Sequence, residues 1–156
     1  MKIIGILVIL FSAVMIARRL LDEVDVSLKG VIALRSILEH TKNMIECYSL
    51  PAGEILRRLD GSLFVDCGYS DGAFPKDFSE LAEGAEIADG ESAELILAFA
   101  KDFGKSYRAD ELARCSLYIE KLRSREQKLY KEASKKKKII LTVTLCTALA
   151  VIILLI

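Results

Sequence analysis

The stretch KKKKIILTVTLCTALAVIILLI, residues 135–156, decides how the rest of the chain is interpreted. Its lysine run, Lys135–Lys138, precedes eighteen uncharged residues, Ile139–Ile156. As a helix these eighteen residues are about 27 Å long, which is close to the thickness of a bilayer's hydrocarbon core. Lysines at one end favour the cytoplasmic side of a membrane. We therefore expect a transmembrane helix at residues 135–156; a buried helix of a soluble core is the alternative.

A second apolar stretch, Ile3–Ala17, is followed by the pair Arg18-Arg19. Extended to Leu21 it gives roughly 28 Å of helix, provided that the two arginine side chains reach back to the membrane interface. A cleaved signal peptide is the alternative, but the residues before the arginines make a poor small-residue cleavage site. We expect an uncleaved transmembrane anchor at residues 1–21.

The charges are distributed unevenly, although 22 basic residues balance 22 acidic ones. Without Lys2, Arg18, Arg19 and Lys135–Lys138, 15 basic residues remain against all 22 acidic residues. An acidic middle argues against a nucleic-acid partner, because such partners are bound by clustered lysine and arginine. Since basic flanks border it on both sides, we expect residues 22–134 to form a cytoplasmic domain between two anchors.

Apolar periodicity predicts a helical bundle in this middle segment. A stripe from Val24 to Tyr48 predicts one long amphipathic helix that continues from the first anchor. A heptad-like stripe from Leu112 to Ala133, interrupted by Glu126, predicts a second long helix with coiled-coil character. That helix starts near Tyr107, and no glycine or proline follows before Ile156. We expect the two helices to pack antiparallel in an all-α fold.

Shorter helices are predicted between the two long ones. One starts at Pro51, buries Ile55, Leu56 and Leu59, and stops at Asp60-Gly61. Pro75 opens another that carries Phe78, Leu81 and Ile87, after turn chemistry at Gly68–Gly72. A further helix runs from Ser92 to Phe103, with Gly104 as its cap. Residues 62–90 have the weakest apolar periodicity of the middle segment.

The sequence contains no motif for catalysis, for a cofactor or for a metal. A phosphate-binding GxxxxGK[ST] loop and a GxSxG nucleophile elbow are both absent. His40 is the only histidine and is expected on a solvated face, as are Glu80 and Glu83. The four cysteines, Cys47, Cys67, Cys115 and Cys146, have no CxxC spacing and are expected as free thiols. We expect no enzyme.

The layout of anchor, helical bundle and lysine-flanked tail resembles the stage III sporulation protein AB family of endospore-forming bacteria. Short stretches along most of the chain carry the resemblance: LRSIL (34–38), IECY (45–48), Pro51 with EIL (54–56), FGKS (103–106) and the lysine run. That family is similar to the cytoplasmic domain of the inner-membrane platform proteins of type II secretion and type IV pilus machines.

The resemblance implies a membrane protein of a channel complex between mother cell and forespore, located in the mother-cell membrane. Its helical domain would dock a secretion-type ATPase of the same operon and other membrane subunits of the complex. Platform proteins have two helical bundles, whereas one is expected in this chain. A homo-oligomer is one way to supply the second bundle. The alternative is a generic two-anchor membrane scaffold or sensor. An exposed acidic or apolar groove favours docking, whereas a uniformly charged outer face favours the alternative.

Overall fold

A computed structural model describes residues 2–48, 52–70 and 74–155 as an all-helical chain. Over these residues the helices are α1 (Lys2–Tyr48), α2 (Ala52–Arg57), α3 (Gly61–Asp66), α4 (Phe78–Gly84), α5 (Gly90–Asp102) and α6 (Arg108–Leu155). The described residues contain no strand, and their only β-type pairing is an isolated bridge between Tyr69 and Ala85. The predicted all-α class is confirmed.

The chain divides into two compact units. The terminal unit comprises Met1–Asp25 and Tyr130–Ile156, and the central unit comprises Val26–Leu129. The domains predicted from the sequence are residues 1–21, 22–134 and 135–156. Their bounds depend on where the chain is expected to enter and leave a membrane. The two compact units do not test those bounds, so the three domains stay predictions.

None of the helices in the described residues combines the length and the apolar character that crossing a membrane requires. The transmembrane helices predicted at residues 1–21 and 135–156 are therefore not confirmed.

In the central unit α1 and α6 run antiparallel. Arg35 Nε donates to Glu126 Oε2 at 2.8 Å, and one turn later on α1 Glu39 Oε1 lies 3.7 Å from Arg123 Nη2. Residues nearer the end of α1 therefore contact residues nearer the start of α6, as expected for antiparallel helices. Glu126, the interruption in the predicted stripe of α6, pairs with Arg35 of α1.

The apolar stripes of the two long helices form much of the core. Val31, Leu34 and Leu38 of α1 are fully buried. On α6 the buried positions of the stripe within this unit are Cys115, Ile119 and Leu122. Tyr48 was expected to end the stripe of α1 but is exposed, because it is the last residue of the helix and lies beyond Ile45, the last buried position.

The short helices complete the core, and the first of them corrects a prediction. Ile55, Leu56 and Leu59 are buried as predicted, while the predicted start at Pro51 lies outside the described residues. Asp60-Gly61, expected only as a stop, also begins α3. The Asp60 carboxylate accepts a hydrogen bond from the backbone N–H of Ser62 at 3.0 Å, so the same residue that follows α2 caps α3.

Between α3 and α4 the chain turns at Gly68, which has a φ of +88°. A Cβ there would lie 2.6 Å from the Glu86 carbonyl oxygen, so only glycine fits. The last two residues of the predicted turn, 71–72, lie outside the described residues. Because α4 ends at Gly84, Ile87 lies beyond the helix in which it was predicted, although it is half-buried against the core.

Aromatic side chains join α4, α5 and α6. The ring of Phe78 meets Phe99 and Phe103 edge-on, with centroids 5.1 and 4.7 Å apart. Tyr118 of α6 meets Phe99 in the same way at 5.5 Å. Such pairs add to the free energy of burial by about 0.5–1.5 kcal/mol each.

A buried ion pair holds the start of α5 to α6. Arg125 donates through Nη2 to Asp89 Oδ1 at 2.6 Å and through Nε to Asp89 Oδ2 at 3.0 Å. Asp89 is also the N-cap of α5, accepting from the backbone N–H and the hydroxyl of Ser92. The hydrogen bonds from Arg125 and Ser92 hold the pKa of Asp89 below its ordinary value, against the opposing effect of burial. The carboxylate therefore stays charged and keeps both roles at neutral pH.

The core assignment predicts contrasting effects for two leucine substitutions. In a chain segment covering residues 22–134, Leu38→Asp should lower the free energy of unfolding by about 3–5 kcal/mol, because it buries an unpaired charge. Leu117→Asp changes a side chain that is 53% exposed and should cost less than about 1 kcal/mol. Urea unfolding followed by circular dichroism measures both. Equal stability of the two variants would contradict the predicted core.

Candidate docking surface

The chain reverses direction between α5 and α6 through residues 103–107. Gly104 has a φ of +82°, the left-handed conformation that favours glycine after the end of a helix. The prediction was one residue late, because α5 ends at Asp102 and its C-cap is Phe103, while Gly104 is the residue that follows the cap. Phe103 turns inward to the aromatic cluster, and the residues that follow face solvent.

A buried carboxylate fixes the shape of this turn. Glu111, in the first turn of α6, is only 6% exposed. Its Oε1 accepts from the backbone N–H groups of Gly104 and Ser106, at 3.2 and 3.1 Å, and from Arg114 Nη1 at 2.7 Å. A carboxylate in a first helical turn also interacts favourably with the helix dipole. The turn is thereby tied to the helix that follows it.

Arg114 ties the same turn to the helix that precedes it. Its Nη1 donates to the carbonyl of Asp102 at 2.8 Å, and its Nη2 to the hydroxyl of Ser106 at 3.2 Å. Because Arg114 and Glu111 are also paired with each other, the end of α5, the turn and the start of α6 share one network. The backbone of the turn is thus held in one conformation.

The network places aromatic side chains in solvent. Tyr107 is 87% exposed, and Tyr48, at the end of α1, is 64% exposed. The side chain of Arg108 donates to the carbonyl of Glu46, so the last turn of α1 lies beside the first turn of α6. Tyrosine and arginine often dominate the energy of protein interfaces, and here they stand on fixed backbone.

A shallow groove between α4 and α5 leads to this turn. It is lined by Ser79 and Glu83 from α4 and by Leu97, Ala98, Ala100 and Lys101 from α5. Leu97 is 47% exposed. The ammonium of Lys105, in the turn, donates to the carbonyl of Lys101, so groove and turn adjoin. We call Glu83, Leu97, Lys101 and Tyr107 the α5 surface.

The α5 surface belongs to an acidic part of the chain. Residues 60–102 contain eleven acidic and two basic residues. The exposed Leu97 interrupts this charge, and the exposed Tyr107 follows the acidic stretch between Lys105 and Arg108, so the outer face of the central unit is not uniformly charged. An apolar groove with a charged rim is the feature that favours docking over a generic scaffold.

The remaining polar residues singled out in the sequence are dispersed. His40 is exposed on α1, and Glu83 is exposed on α4. Glu80 was expected to face solvent but is half-buried, because its Oε2 accepts from the backbone N–H of Lys76 at 2.7 Å at the start of α4. In the part of the chain that the structure describes, no three histidine, cysteine, aspartate or glutamate residues are grouped so as to hold a metal ion.

The cysteines differ in burial, and all four are free. Cys47 and Cys146 are exposed, whereas Cys67 and Cys115 are buried. Burial raises the pKa of the Cys67 thiol to about 11. Burial and the nearby Glu111 carboxylate raise the pKa of Cys115 to about 12. Neither buried thiol forms a nucleophilic thiolate at neutral pH.

The residues that build the turn were not identified from the sequence. An acidic first turn in α6, Asp110-Glu111, is a sequence signal for a helix start, but it does not reveal what Glu111 binds. No local sequence pattern indicates the role of Arg114, because its partners in α5 and the turn come close to it only when the chain reverses direction. The stretch FGKS, which carries part of the family resemblance, lies in this turn.

A comparison with protein families gives a match over the second half of the chain. A family model described as Stage III sporulation protein AB matches residues 72–156, which include α4, α5, the turn and α6. Searches of curated proteins and of solved structures found no match.

The turn network predicts a large effect for Glu111→Ala. The substitution leaves two backbone N–H groups without their acceptor and Arg114 without its carboxylate, so the free energy of unfolding should fall by about 2–4 kcal/mol. Glu120→Ala is the matched control, because Glu120 lies on the same helix and pairs with Arg123 in solvent. It should cost less than about 1 kcal/mol. A Glu111→Ala variant as stable as the control would contradict the network.

The burial of the thiols predicts their order of reaction. In the folded full-length chain at mildly alkaline pH, iodoacetamide should label the exposed Cys47 first and leave Cys67 and Cys115 unlabelled until urea is added. Peptide mass spectrometry under native and unfolding conditions measures this. Fast native labelling of Cys115, or a bridge between any two cysteines in unreduced protein, would contradict the structure.

Proposed function

Because the chain belongs to the stage III sporulation protein AB family, we propose that it is a non-enzymatic membrane component of the channel complex between mother cell and forespore. Membership of the family itself implies a role in sporulation. In the proposal the central unit docks a cytoplasmic secretion-type ATPase and other subunits of the complex. The ATPase is chosen because the family is similar to platform proteins of secretion and pilus machines.

The observation that carries the docking role is the α5 surface. An exposed leucine in a groove and an exposed tyrosine on a fixed turn are suited to bury apolar area against a partner, with little loss of conformational entropy. Acidic residues around Leu97 would select a partner with a basic contact surface. No catalytic step is included, because the sequence has no catalytic motif and the two buried thiols are protonated.

Membrane attachment is the second part of the proposal. We place residues 1–21 and 135–156 in the mother-cell membrane and the domain between them in the cytoplasm. The support is the lysine run and the apolar surface of the terminal unit, where Leu141, Leu145 and Ile153 are all more than 60% exposed. A continuous apolar surface of this kind is rarely left in contact with water.

The alternative is a generic two-anchor membrane scaffold or sensor unrelated to secretion. It expects a uniformly charged outer face with no site for a specific partner. The exposed Leu97 and Tyr107, together with membership of a sporulation family, favour the docking proposal.

The docking proposal predicts that Leu97→Ala with Tyr107→Ala removes the ATPase. In sporulating cells, recovery of the secretion-type ATPase with the tagged full-length chain should fall about tenfold or more. The reason is that a buried leucine or tyrosine side chain of this kind contributes on the order of 1–2 kcal/mol to the binding free energy of an interface. The number of spores should fall with it.

Leu117→Ala with Tyr130→Ala is the matched control. These residues are of the same types and are 53% and 66% exposed, but they belong to α6 and are not among the residues that line the groove. The control should bind the ATPase like the parent chain. Unchanged recovery in the docking variant, or equal loss in both variants, would overturn the proposed surface.

A further inference from the structure

Two contacts fix how α5 lies against α6 in the central unit. Near the start of α5, Glu91 Oε2 lies 2.8 Å from Arg125 Nη1. Farther along α5, the ring of Phe99 meets the ring of Tyr118 with centroids 5.5 Å apart. Higher numbers on α5 therefore meet lower numbers on α6, so these two helices run antiparallel.

Charges of opposite sign lie on the two sides of this contact between α5 and α6. On α5, Glu94 follows Glu91 by three residues and shares its side of the helix. On α6, Lys121 lies one turn before Arg125, and its ammonium stands 4.8 Å from the centroid of the Tyr118 ring. Glu94 and Lys121 are both exposed, so they lie on the outer side of the contact and not on the side that faces the core.

The outer face of α6 extends the basic side in both directions. Lys128 follows Lys121 by seven residues and Leu117 precedes it by four, so the three share one face of the helix. Lys128 is exposed, and Leu117 is 53% exposed. We call Glu94, Leu117, Lys121 and Lys128 the seam face.

The acid and the base of the seam face lie at the same level along the helices. Measured from the contact of Glu91 with Arg125, Glu94 lies three residues forward on α5 and Lys121 four residues back on α6. At about 1.5 Å per residue, their levels differ by about 1.5 Å. Among the described residues, neither Glu94 nor Lys121 has an ion-pair partner.

A second copy of the chain provides a partner for both groups at once. Rotation by half a turn, about an axis parallel to the helices, sets the acidic side of each seam face opposite the basic side of the other. Because Glu94 and Lys121 lie at the same level, the copies need not slide along the helices to bring the two charges together. Such a contact uses the same surface on both copies and closes on itself as a two-fold dimer.

We propose that the central units of two copies pair through their seam faces, with both copies pointing the same way along the helices. Glu94 of each copy pairs with Lys121 of the other, Lys128 adds to the attraction, and the exposed Leu117 side chains are covered. The inference goes beyond the proposed function, which leaves the number of copies open. It rests on that function only for the attachment of both copies to one membrane.

Attachment to one membrane contributes because exposed ion pairs are weak and are screened by salt. The central unit alone should therefore stay monomeric at micromolar concentration, so that unfolding of residues 22–134 reports on a single copy. Full-length copies held in one membrane have a higher effective concentration and the same direction, and there the dimer should form.

The test is recovery of one tagged full-length copy with a second, differently tagged copy, at low salt and from cells that lack the ATPase. The parent copies should recover each other. Glu94→Lys in both copies, or Lys121→Glu in both copies, should lower recovery by about fivefold or more, because like charges then face each other. Glu94→Lys in one copy with Lys121→Glu in the other should restore recovery, since opposite charges again face each other in both contacts.

Lys29→Glu with Glu46→Lys, carried by both copies, is the matched control. Both residues are exposed charges of α1, and neither has an ion-pair partner in the part of the chain that the structure describes. Neither belongs to the seam face. The control copies should recover each other like the parent copies.

The other outcomes contradict the inference in separate ways. Unchanged recovery after either charge reversal, no restoration in the mixed pair, or equal loss in the control would overturn the contact. More than two copies in the recovered complex by native mass spectrometry would overturn the two-fold arrangement. Fractionation of the same cells separates this inference from membrane attachment: a chain in the soluble fraction would overturn the attachment, whereas membrane-bound copies that do not recover each other would overturn the pairing.

Discussion

The central unit depends on the antiparallel packing of α1 against α6. Two apolar stripes face each other there, and burying Leu34, Leu38 and Leu122 supplies about 1.5–3 kcal/mol for each side chain. Burial alone does not choose a register. The ion pair of Arg35 with Glu126 does, because sliding one helix past the other would leave Glu126 half-buried and without Arg35, while Arg35 would keep only Glu39 of its own helix. The short helices then pack on a surface that is already defined.

The sequence was most informative where periodicity is long. Repeats of three and four residues in α1 and α6 identified both helices, their inner faces and their antiparallel pairing. The sequence was least informative where one residue makes contacts in two different elements. Asp60 follows one helix and caps the next, and Asp89 caps α5 while binding Arg125, which lies 36 residues away. Local patterns indicate a turn at such places, but the distant partner depends on the completed fold.

The candidate docking surface shows the same limit. Gly104 was recognised as the end of a helix, and FGKS as part of a family resemblance. Neither observation revealed that Glu111 and Arg114 hold the turn and leave Tyr107 in solvent. Exposure of Leu97 likewise follows from how α4 and α5 pack together. What the sequence did provide is the uneven distribution of charge, which gives the surface its acidic surroundings.

The central claim is that Arg35 and Glu126 fix the register of α1 on α6. A double-mutant cycle with Arg35→Met, Glu126→Met and the combined variant tests it most directly, with urea unfolding of the segment 22–134 as the measurement. We predict a coupling free energy of about 1 kcal/mol or more, since the two side chains bond directly. Additive effects of the two substitutions, with no coupling, would show that this ion pair does not fix the register.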